Sequence, residues 1–86
     1  MSIDEVKATI RAGEQALDEA RTTMERVGAE LAEATGLALA VLTGTEHELA
    51  GKARSTLAEA QREIELTLRR LAGAREHARR YTAALG

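Results

Sequence analysis

Leu42-Thr43-Gly44-Thr45-Glu46-His47-Glu48 breaks a heptad pattern that otherwise runs the length of the chain, and this break decides the fold. Gly44 is suited to the left-handed position that closes a helix. Thr45 and Glu48 have the spacing of a capping box, which opens the next one. The chain therefore stops one helix and starts another within a few residues.

Outward from the break, each half carries an apolar stripe in alternating steps of three and four. The first is Ile3, Val6, Ile10, Gly13, Leu17, Ala20, Met24, Val27, Leu31, Ala34, Ala38 and Val41. The second is Ala50, Ala53, Leu57, Ala60, Ile64, Thr67, Leu71, Ala74, Ala78, Tyr81 and Leu85. Folding at Gly44 faces positions whose numbers sum to 91, so Leu31 meets Ala60, Val27 meets Ile64 and Leu17 meets Ala74. Ser2 and Glu5 form a capping box at the first helix. The expected fold is all-α: an antiparallel two-helix coiled-coil hairpin spanning 1–86, with helix 3–42, turn 43–45 and helix 46–84, dimerising into a four-helix bundle.

Dimerisation is expected because 86 residues in two helices leave each helix with a back open to water. The hydrophobic share is 44%, but much of it is alanine, and Tyr81 is the only aromatic residue. Little area is buried per layer. At the tip, Leu37, Leu39, Leu42 and Leu49 exceed what the seam can take, and Leu66 and Leu68 add off-seam leucines midway along helix two. An exposed apolar patch of this kind marks a protein contact. These six leucines are the expected partner interface. Gly28 and Gly36 fall on the outer flanks of helix one, where small residues admit a neighbouring helix, and Gly13 falls in the seam.

Chemistry has few candidates. With no cysteine, there is neither a disulfide framework nor a thiolate metal site. His47 and His77 lie near opposite ends of the rod, about 45 Å apart by helix rise, and cannot share a metal. Carboxylate pairs such as Asp18-Glu19 have no concave pocket to tune them for acid/base work. The expectation is no enzyme activity, no cofactor, no metal and no small-molecule substrate.

Net charge is -2, with 12 basic and 14 acidic side chains. Residues 1–43 hold four basic and eight acidic groups, and residues 44–86 hold eight and six. Arg62, Arg69, Arg70, Arg75, Arg79 and Arg80 make helix two locally basic, but no aromatic residues interleave for stacking, which disfavours nucleic acid. Glu14 and Arg75 occupy matching flanks for an ion pair, and Glu30 and Glu63 flank one layer with like charge that a basic group from another chain would relieve. The longest uncharged run, Ala34 to Thr45, is too short to span a bilayer. The start, Met1-Ser2-Ile3-Asp4-Glu5, lacks the pattern of a signal peptide, so the expected location is cytoplasmic, or exported without a cleaved signal.

Two long antiparallel helices in a chain of this size resemble the WXG-type hairpin superfamily of small type VII secretion substrates and partners. The resemblance covers the whole chain and is one of architecture. The family's Trp-x-Gly turn is missing, since Leu42-Thr43-Gly44-Thr45 has a glycine and no tryptophan, and of its Tyr-x-x-x-acidic signal the chain has Tyr81, with Leu85 at the acidic position. The resemblance implies a bacterial homodimer or heterodimer and a larger effector as client. The expected function is a noncatalytic helical-hairpin protein–protein interaction module, a homo-oligomer or the partner and adaptor of a larger effector. A self-assembling structural coiled coil is the alternative, and a nucleic-acid-binding accessory protein is a more distant one.

Overall fold

The computed structural model describes residues 2–86; Met1, the first residue of the expected span, lies outside the described residues. Two helices, α1 (Ile3–Leu42, 40 residues) and α2 (Glu48–Leu85, 38 residues), run side by side in a rod of 63 × 16 × 16 Å. Forty residues at about 1.5 Å each give about 60 Å, so the rod is one helix long and two helices wide.

Local chemistry sets the helix ends. Ser2 is extended, and its hydroxyl accepts the Glu5 N–H at 3.1 Å, as the spacing at the start of the chain predicts. At the other end of α1, the Thr43 N–H donates to the Leu39 carbonyl at 2.8 Å, and Gly44 takes φ +84°, a conformation that costs side-chain-bearing residues energy. Arg54 then reaches back from the first turns of α2, its Nη1 donating to the Leu42 carbonyl at 3.0 Å. Since the last turn of α1 has no basic residue of its own, Arg54 supplies from the other helix the cation that this negative end favours.

The start of α2 differs from the expected position 46. The Thr45 hydroxyl accepts the N–H of His47 at 3.3 Å, which holds His47 extended, and His47 becomes the N-cap. Its Nδ1 accepts the Leu49 N–H at 3.1 Å. Glu48 is thereby the first helical residue, too early in the turn to complete a capping box with Thr45.

The register is also corrected. A Cβ placed on Gly28 would stand 3.3 Å from Ile64 Cγ2, so Gly28, not Val27, faces Ile64, and the facing numbers sum to 92. Half of each stripe survives the one-residue shift: Ile10, Leu17, Met24, Leu31 and Ala38 are half-buried against an equally half-buried Leu57, Ile64, Leu71 and Ala78. The other half rotates. Thr35 is buried where Ala34 was expected, Leu42 turns inward where Val41 was expected, and Gly13 stands in the open, where an added Cβ would meet no other atom within 4 Å. Arg75 accordingly pairs with Asp18, Nη1 to Oδ1 at 2.8 Å, instead of Glu14. Both groups are nearly half exposed, so the pair contributes at most about 1 kcal/mol.

Among the described residues only Ala50 and Thr35 are buried outright, and no large side chain is fully enclosed. The hairpin has a seam and no core.

Candidate interaction surfaces

With the register set by Gly28 and Ile64, the two flanks of the rod differ in kind. One carries Asp18, Arg21, Glu25, Glu65, Arg75 and Arg79, which line shallow clefts between the helices. The other takes the residue just before each inward-turned Glu14, Gly28, Thr35 and Leu42 on α1, and before Arg21, which shares their heptad position but is exposed, namely Gly13, Ala20, Val27, Ala34 and Val41. By the same rule α2 contributes Ala53, Ala60, Thr67, Ala74 and Tyr81. In an antiparallel pair these equivalent positions fall on the same side of the seam. None of the ten is charged.

Water reaches much of this flank: Val41 is 82% exposed and Tyr81 55%. Leu37 lies one helical turn from Val41 on the same face and is 68% exposed. Leu49, across the turn, is 67% exposed. The tip is therefore apolar and open, as its sequence predicts, although its membership differs in detail.

Of the six leucines expected at a partner interface, Leu37, Leu49 and Leu66 are exposed. Leu39, Leu42 and Leu68 are half-buried. Leu42 and Leu68 turn toward the seam, Leu68 beside the cleft lined by Gly28 and Ile64. The structure thus brings Leu37 and Leu49 to the tip with Val41, and leaves Leu66 far from them on the outer side of α2. Val41 and Tyr81 escaped the sequence reading as surface residues because each fits a heptad stripe as well as any core residue does.

The charged residues divide similarly. Arg79 and Arg80 both pair with Glu76 along α2, at 3.5 and 3.3 Å. Among the described residues, Glu30, Glu63 and Arg70 make no ion pair, and neither do Arg62 and Arg69. His47 is engaged as a helix cap, and His77 is exposed on the body of α2. Among the described residues no three His, Asp or Glu side chains are grouped to hold a metal ion. Among the described residues no helix is long and apolar enough to cross a membrane.

Compared with protein-family models, with curated proteins and with solved structures, the chain matches none of them.

Proposed function

We propose that the protein is a noncatalytic helical-hairpin interaction module that works by presenting a helical surface to another protein, as dimeric partner or adaptor of a larger effector. The observation that carries this reading is the apolar tip: Leu37, Val41 and Leu49 are each at least two-thirds exposed, and none has a use inside the hairpin. Exposed anchors at helical spacing are what helix-on-helix and helix-in-groove recognition employ. The residue types that most often carry chemistry support the same reading, since the two histidines stand apart and one of them caps a helix. The WXG-type resemblance gives the reading its most specific form, a bacterial type VII secretion-associated partner.

The test uses side chains that the fold does not need. Val41→Glu combined with Leu49→Glu changes two water-facing residues, so helicity should persist and stability should stay within about 0.5 kcal/mol of the parent. Burying those carboxylates in a partner contact is costly, so activity in a cellular assay should be abolished. His47→Ala and His77→Ala should keep nearly full activity. Loss of activity in either histidine variant, with folding and partner binding intact, would replace this reading with a chemical one.

A further inference from the structure

We propose that the uncharged flank seats a second copy of this chain, packed antiparallel on the first so that Glu63 of each copy pairs with Arg70 of the other and the two Thr67 side chains meet at the twofold axis. This rests on the interaction-module reading above and names one partner for it.

Area comes first. A compact protein of 9.2 kDa exposes about 4,900 Å² by the usual surface scaling, whereas this chain exposes 6410 Å². The excess is about 1,500 Å². One long face of the rod, 63 by 16 Å, offers about 1,000 Å², and a stable interface takes about 800 Å² from each partner. Covering a single flank is enough. The uncharged flank can be covered without desolvating a charge, because its charges lie only on the rim.

The rim charges select the orientation. Glu30 on α1 and Glu63 on α2 border this flank at the same height, and Arg70 lies two turns from Glu63 on the same side of α2. Among the described residues, none of the three has an ion partner. A twofold axis parallel to the rod permits no sliding, so it would bring Glu30 and Glu63 of both copies together as four carboxylates at one level. Like charges held that way repel and disfavour the arrangement. A twofold axis across the rod instead lays α2 antiparallel on α2. Glu63 then meets Arg70 twice when the axis passes near Thr67.

That placement leaves the rods overlapping along most of their length, and it matches large residues with small ones. Tyr81 of one copy comes opposite Ala53 of the other. Leu37 comes over Gly13, around whose missing Cβ there is no atom within 4 Å. The most exposed part of the tip is thereby given a place in the assembly.

The test is the molar mass of the full chain by light scattering, with charge-swapped variants and engineered cross-links, since the chain has no cysteine of its own. The parent should have twice the chain mass. Glu63→Arg and Arg70→Glu should each weaken self-association about tenfold or more, and the double variant should restore it. Both side chains are exposed, so helicity should persist in every variant. Thr67→Cys should form a disulfide-linked dimer on mild oxidation, whereas Ala53→Cys, near the tip, should not. A parent of single-chain mass at micromolar concentration would overturn the proposal while leaving the interaction-module reading to the cellular assay. A dimer indifferent to both charge reversals, or one that cross-links through Ala53→Cys and not through Thr67→Cys, would also overturn it.

Discussion

Thr35 is taken out of water in a rod that buries almost nothing, and its hydroxyl finds no hydrogen-bond partner. A buried hydroxyl left unsatisfied forfeits the hydrogen bonds it made to water, at a cost of about 1–3 kcal/mol. Valine has the same shape with a methyl in place of the hydroxyl. Thr35→Val should therefore raise stability by about 1 kcal/mol and melting by about 4–8 °C, read by thermal denaturation followed by circular dichroism. An unchanged or lower melting temperature would mean that the hydroxyl is satisfied in solution. Arg75 presents the opposite balance: its Nε is buried without a partner, while its Nη1 reaches Asp18 at 2.8 Å. One end of the guanidinium is compensated and the other is not, which further limits what this pair adds to the hairpin.

At the scale of the elements, glycines inside helices separate seam from surface. Alanine at an open helical position gains up to about 1 kcal/mol over glycine. Gly36 has no neighbour within 4 Å of an added Cβ, so Gly36→Ala should show that gain. At Gly28 the added methyl meets Ile64 Cγ2 at 3.3 Å and the Ile64 side chain must give way, so Gly28→Ala should gain less or lose stability, as parallel chemical denaturation of the two variants would show. The sequence made the helices and their joint legible, because periodicity and a left-handed glycine are local signals. It left the register one residue out. The apolar stripe on each helix is wider than a single seam needs, and hydrophobic counting cannot separate residues turned toward the hairpin mate from those left beside it. Val27 and Gly28 show the ambiguity: the more hydrophobic of the two is the natural choice for the seam, yet the glycine takes it, with the Ile64 side chain lying over it. The start of α2 was misplaced for a related reason, since Thr45 spends its oxygen on the neighbouring His47. As for the surface, its apolar tip was readable from crowded leucines, whereas the uncharged flank emerged only once the rotation of each helix was known.

The whole molecule is a stack of layers, each touching only the layers above and below, with the one irregular joint at Thr43–His47. Removing 10–16 and 76–82 together takes out matching stretches, because those numbers pair to 92. The hairpin should then be shorter by about 10 Å and still helical, which small-angle scattering can measure. Deleting either stretch alone leaves seven residues of the other helix unmatched, and the melting temperature should fall. The absence of a core thus becomes a property of design: the rod behaves as a ruler graduated in heptads, whose length can be reset without redrawing either of its ends.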